Sequence, residues 1–230
     1  MLNIIHGADF HLDSPFSGLS PERAAQRRGE QRDLLTRLAQ LAREKQADLV
    51  LLSGDLMDGE TVYRETAQAL SQALGGIPCQ VFLAPGNHDC YSPSSVYATL
   101  DWPDNVHIFT TPAVEGVDLP QLNCTVYGRA FCSSHETGSP LAGFRAAEDG
   151  RLTLACLHGD TAPGSGYGPI SQEEIAASGL DYLALGHVHQ HSGLQRAGRT
   201  PPRPAGTGDG GVRPPVPPPV SGRPGGRHRL

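Results

Sequence analysis

One local event recurs along this chain and limits its fold more than any other feature. A short apolar run of strand type stops abruptly, and the residues at the break are Asp, Asn or His. It occurs where Leu2, Ile4 and Ile5 give way to Gly7-Ala8-Asp9, where Asp48–Ser53 meets Gly54-Asp55, and where Gln80–Ala84 meets Pro85-Gly86-Asn87. It occurs again where Leu152–Leu157 reaches His158 and where Tyr182–Leu185 reaches Gly186-His187. Continuously apolar runs this short suit strands buried on both faces of a parallel sheet. Helical patterns lie between them. Ser20-Pro21 supplies an N-cap and a first-turn proline, after which Leu34, Leu35, Leu38 and Leu41 are expected to form one apolar stripe. A second helix is expected over Tyr63–Leu74, and a third starts at a Ser171/Glu174 capping box, with Ile170 and Ile175 as its hydrophobic staple, and ends at Gly179. Further short strands are expected at Val106–Phe109 and Thr125–Tyr127. The alternation predicts an α/β layered architecture in which the polar loops gather at the carboxyl ends of parallel strands, along one sheet edge.

The breaks hold Asp9 and His11, Asp55 and Asp58, Asn87, His88 and Asp89, His158, and His187 and His189, including five of the ten histidines. A single Gly-Asp or Asp-x-His is ordinary turn chemistry. Five such sites, each just past an expected strand, point to a shared metal centre. Carboxylate and imidazole donors without cysteine suit divalent manganese, iron or zinc. Seven candidate ligands exceed the shell of one ion, whereas two ions sharing a bridging carboxylate would use them all.

Gly7-Ala8-Asp9-Phe10-His11, Gly54-Asp55-Leu56-Met57-Asp58, Gly86-Asn87-His88-Asp89, Leu157-His158-Gly159-Asp160 and Gly186-His187-Val188-His189 resemble, in order, the five motifs of calcineurin-like metallophosphoesterases. The resemblance covers residues 1–195 and implies a four-layer α/β/β/α sandwich, incomplete on its C-terminal side. It implies that Asp9, His11 and His189 hold one divalent ion and that Asn87, His158 and His187 hold a second, both manganese, with Asp55 bridging. His88 would be the non-ligand histidine facing substrate, and Asp89 its partner. His11-Leu12-Asp13-Ser14-Pro15-Phe16 further resembles the opening of SbcD-like and YhaO-like DNA repair exonucleases. That implies two-metal phosphodiester hydrolysis on DNA, an SMC-like ATPase partner and homodimerisation, of which the sequence carries no specific signature. The same motifs also fit a phosphomonoesterase or a cyclic-nucleotide phosphodiesterase, and a non-catalytic module for the ATPase is the reading from another class. SbcD-type relatives often carry histidine where this chain has Asp58, which favours the YhaO-like branch. Asp13 is expected to be an exposed loop carboxylate without a role.

Charge is divided unevenly. Residues 196–230 hold seven Arg against one acid, Asp209, so this stretch is +6 and, the whole chain being −6, residues 1–195 are −12. A strongly acidic body offers few phosphate contacts, and Arg23, Arg27, Arg28 and Arg32 read as a solvated helix face. The stretch 196–230, with nine Pro and eight Gly, is expected to be disordered and to be an out-of-frame product of a GC-rich gene, leaving an inactive, less stable chain. The five cysteines form no CxxC pair, which is thiol usage of a reducing compartment. No apolar window reaches membrane-spanning length, and a cytoplasmic location is expected.

Overall fold

The computed structural model describes residues 2–59, 61–162, 164–190 and 193–195. The expectation of a disordered, out-of-frame tail over 196–230 falls outside the described residues.

The first half builds a parallel sheet. Strands β1 (Ile4–Gly7), β2 (Leu49–Ser53), β3 (Gln80–Ala84) and β4 (Val106–Ile108) pair in chain order, all parallel. Helices α1 (Pro21–Glu44) and α2 (Arg64–Gly75) are the crossovers, and a short α3 (Val96–Thr99) precedes β4. Ser20 caps α1 by accepting from Arg23 N, as expected of a Ser-Pro start.

The second half builds a separate sheet, β5 (Glu115–Leu119), β6 (Cys124–Gly128), β7 (Leu152–His158) and β8 (Tyr182–Gly186). β5 is antiparallel to β6 and the rest are parallel. The expected single sheet edge is therefore corrected: the strand ends belong to two sheets. β5 has little signature in the sequence because it alternates Gly116 and Asp118 with apolar residues at a solvated edge, which leaves only a weak apolar run. The capping box forms at the start of α4 (Gln172–Ala177), with Ser171 Oγ accepting from Glu174 N and Glu174 accepting from Ser171 N.

Strand alternation sorts side chains into layers. Val50, Leu52, Val81 and Leu83 face α1 and α2, while Leu49, Leu51, Phe82 and Ala84 face the second sheet. On β7, Leu154 and Cys156 face inward to meet them, and Ala155 and Leu157 face out toward Ile170 and α4's Ile175. The order is helices, sheet, sheet, helix, the four-layer sandwich. Cys156 lies in its central seam, where burial pushes the thiol up to about 12. Cys79, Cys124, Cys132 and Cys156 are in no disulfide. Among the described residues no strand pairs the outer edge of β8, and no helix is long and apolar enough to cross a membrane.

The α1 stripe differs from expectation. Leu35 and Leu38 are buried with Ala24, Ala39 and Ala42, but Leu34 and Leu41 stay exposed. The buried arc is centred on small residues that let α1 lie close to the sheet, which rotates Leu34 and Leu41 to the rim. Leu35→Ala should cost about 3 kcal/mol in urea unfolding and Leu34→Ala less than about 0.5. Equal losses would contradict this packing.

Candidate metal centre

The loops after β1 and β2 continue the parallel ladder beyond their strands. Asp9 N donates to Gly54 O, His11 N to Asp55 O and Leu12 N to Leu56 O, at 2.8–3.0 Å. Leu12, Leu56 and Met57 are fully buried, so the loops are pinned by apolar side chains while their polar ones point away. Asp9, His11, Asp55 and His187 all adopt positive φ. Such backbone costs about 1–3 kcal/mol per non-glycine residue and persists where the surroundings impose it, most often at functional sites.

The second sheet reaches the same place because of strand parity. Leu49, Leu51 and Ser53 share the inner face of β2, and Leu154, Cys156 and His158 share that of β7. His158 Nδ1 therefore donates to Ser53 O across the sheets, at 2.9 Å, and Ser53 Oγ donates to Ala184 O at 3.0 Å. Gly186 passes so close to Ser53 O that no Cβ would fit, which seats the His187 loop against the first sheet.

Two donor groups hold the carboxylate and imidazole candidates. Asp9, His11 and His189 form one, and Asp55, His158 and His187 the other, with ligand atoms in each group within 4.8 Å of one another; a third such group, His11, Asp58 and His88, shares His11 with the first. His11 Nε2 and His189 Nε2 lie 2.9 Å apart, and Asp9 accepts from His187 N. Asn87 Oδ1 lies 2.9 Å from His158 Nε2 and 3.0 Å from His187 Nδ1. Asp55 Oδ2 stands between the groups, 3.4 Å from His158 Nε2 and 3.9 Å from His11 Nε2. The structure thus brings together all seven ligand candidates, His158 and Asp9 included.

The donor chemistry fits divalent cations. His158 gives its Nδ1 proton to Ser53 O, which turns the Nε2 lone pair toward the oxygens of Asn87 and Asp55. Three acceptors aimed at one point need a positive charge there. Burial would lower the His158 pKa, yet the hydrogen bond and charge of Asp55, with the Ser53 carbonyl and Asp9, outweigh it and the value is raised, so the surroundings favour positive charge at Nε2, whether a proton or a cation. Burial likewise pushes Asp55 up, and the hydrogen bond and charge of His158 together with those of His88 outweigh it, leaving Asp55 lowered. For His187, burial and the nearby His158 bring the pKa down, favouring the neutral imidazole that a cation binds.

The family resemblance pairs Asp89 with His88, and the structure corrects this. The Asp89 carboxylate is buried and turned inward, accepting from Gly86 N (2.8 Å), Asp55 N (3.2 Å), Met57 N (3.1 Å) and the Tyr97 hydroxyl (2.6 Å). It splints the two loops that carry Asp55 and Asn87. Burial, reinforced by Asp55, raises its pKa, and burial, reinforced by Asp89, holds Tyr97 well above a phenol's usual value, so the hydroxyl remains a donor. The carboxylate beside His88 is Asp58, whose Oδ1 lies 3.7 Å from His88 Nδ1 and 2.8 Å from His11 Nδ1. Asp58 accepts the His11 proton and so frees Nε2 to face His189. Its place four residues after Gly54 in a motif loop was the available signal. Asp13, expected to be exposed, is instead a buried tether that accepts from Tyr63 N and the Thr66 hydroxyl at the start of α2.

Facing carboxyl strand ends of two packed sheets, carrying imidazoles, carboxylates and one amide, define a metallophosphoesterase domain. The chain belongs to the calcineurin-like phosphoesterase family, whose sequence model matches residues 2–191. It is similar to the uncharacterized metallophosphoesterase YhaO of Bacillus subtilis strain 168, 30% identical over 205 residues that cover 84% of this chain and 50% of that protein. It is also similar to the SbcD subunit of the nuclease SbcCD from Rhodobacter capsulatus, 26% identical over 221 residues that cover 86% of this chain and 50% of the relative. The corresponding SbcD subunit from Bacillus subtilis matches at 28% identity over 125 residues, 51% of this chain and 30% of that protein. The chain spans about half the length of the first two.

Proposed function

We propose that this chain hydrolyses phosphodiesters with two divalent metal ions, manganese being the first choice, and that its substrate is DNA processed from an end in repair. Asp9, His11 and His189 would hold one ion, Asn87, His158 and His187 the other, with Asp55 shared. The observation that carries the reading is Asp55 Oδ2 standing between the two donor groups. When bound, a pair of such cations supplies activated water and offsets charge on the phosphoryl oxygens.

The chain's own groups do the rest. Asp58 and the Ser53 carbonyl hold the protons of His11 and His158 away from the centre and so orient both rings. His88, 45% exposed at its side chain and beside Asp58, is placed to donate a proton or hydrogen bond to the leaving oxygen. Similarity to the D subunit of the nuclease SbcCD supports a nucleic acid as substrate and a further subunit as partner; assembly with an SMC-like ATPase and a second copy is what the motif resemblance implies. Cysteine usage without a CxxC pair supports a cytoplasmic setting. Residues 1–195 are the domain that carries this activity.

The test is metal analysis of purified protein, followed by hydrolysis of linear duplex DNA, bis-p-nitrophenyl phosphate and p-nitrophenyl phosphate with manganese and with chelator. We expect two ions per chain, diester cleavage abolished by chelator, and monoester cleavage slower by about tenfold or more. Retention of no metal, or faster monoester cleavage, would overturn the assignment.

A further inference from the structure

Beside the second donor group runs a line of three rings, of which only the first is a metal-ligand candidate. Tyr167 lies against His187, with ring centroids 4.9 Å apart and planes tilted by 33°. His135 follows, 5.1 Å from Tyr167 and tilted by 35°, its Nε2 3.3 Å from the Tyr167 hydroxyl. The line rises from the half-buried His187 through half-buried Tyr167 to exposed His135.

The two loops bearing these rings are laced together. Glu136 N donates to Gly166 O, Gly168 N to Glu136 O, and Tyr167 N to Ser165 Oγ. The Glu136 carboxylate is itself held by Arg129 and by Cys132 N. Arg129 sits over Phe131, which stands edge-on to His158. The wall is therefore built in place before any ligand arrives.

Its chemistry complements the surface charge. Arg129 is spent on Glu136, Arg27 on Glu30, and Arg28 lies over Tyr63, so these cations are engaged within the chain. A body this acidic has to draw affinity for a polyanion from something besides phosphate contacts. Base–aromatic stacking supplies it and accepts every base.

We propose that Tyr167 and His135 form a stacking platform for a nucleobase next to the phosphate undergoing cleavage, so that the site takes single-stranded DNA ends through their bases as well as their backbone. This rests on the phosphodiester reading.

The test is anisotropy of a short fluorescein-labelled thymidine oligonucleotide with hydrolysis-resistant phosphorothioate linkages, compared with an abasic strand of equal length, in manganese. The full chain should bind the thymidine strand about tenfold more tightly than the abasic one. Tyr167→Ala should abolish that preference, and Tyr167→Phe should keep it. His135→Ala, a surface change that leaves the fold intact, should reduce the preference by about threefold. Equal binding of both strands by the unaltered chain, or equal weakening of both by Tyr167→Ala, would overturn the platform. Turnover of an unprotected strand reports on the hydrolysis reading alone: no turnover with the base preference intact removes the reaction and keeps the platform, while turnover without base preference does the reverse.

Discussion

Asp89→Ala should lower stability by about 3–5 kcal/mol and strip the protein of metal in the same step. The carboxylate is buried and accepts from three backbone amides and a tyrosine hydroxyl. Truncation leaves four donors in a space closed to bulk water, each costing about 1–3 kcal/mol, with partial relief from a water entering the gap. Gly86 fixes the geometry further, since a Cβ there would land on the Asp55 carboxylate. The measurement is urea unfolding of metal-free protein, with Tyr97→Phe as the graded companion at about 1–2 kcal/mol, because it removes one donor and leaves the carboxylate with three. A loss below about 1 kcal/mol for Asp89→Ala would show that Asp89 is not the splint described.

Asp55→Asn should separate binding from folding. The amide keeps an oxygen to accept from His88 N, seen at 2.9 Å in the structure, so stability should fall by no more than about 1–2 kcal/mol. What disappears is the charge shared between the two donor groups. Metal content should drop from two ions per chain to one or none, and diester hydrolysis by at least about 1,000-fold, several kcal/mol of transition-state stabilisation. Two tightly held ions in Asp55→Asn would refute the bridging role. Together the variants form a contrast: Asp89 sustains the loops, and Asp55 sustains the charge they present.

The side chains that gather at the candidate centre were legible because the breaks that carry them are local events, each visible within five or six residues. The helix starts at Ser20 and Ser171 were legible for the same reason: a cap is made by residues three apart. The layer assignment of Leu34, the inward turn of Asp89 and the burial of Asp13 were not. Each depends on which neighbour arrives from elsewhere in the chain, whether an alanine face on α1, the amides of the Asp55 loop or the first turn of α2. The pairing of His88 shows this most directly. Adjacency in sequence suggested Asp89, but consecutive residues of a tight loop point in different directions, and Asp58, thirty residues earlier, comes to lie beside the ring.

The sequence by itself determined which side chains stand at the strand ends, since apolar runs must bury and polar breaks cannot follow them into the core. Only the tertiary structure decided that these ends come from two sheets and still meet. Strand parity aims Ser53 and His158 into the same seam, and the hydrogen bond between them sets the sheets' carboxyl edges face to face. A period of two is written in each strand, but the register of one sheet on another is a property of packing.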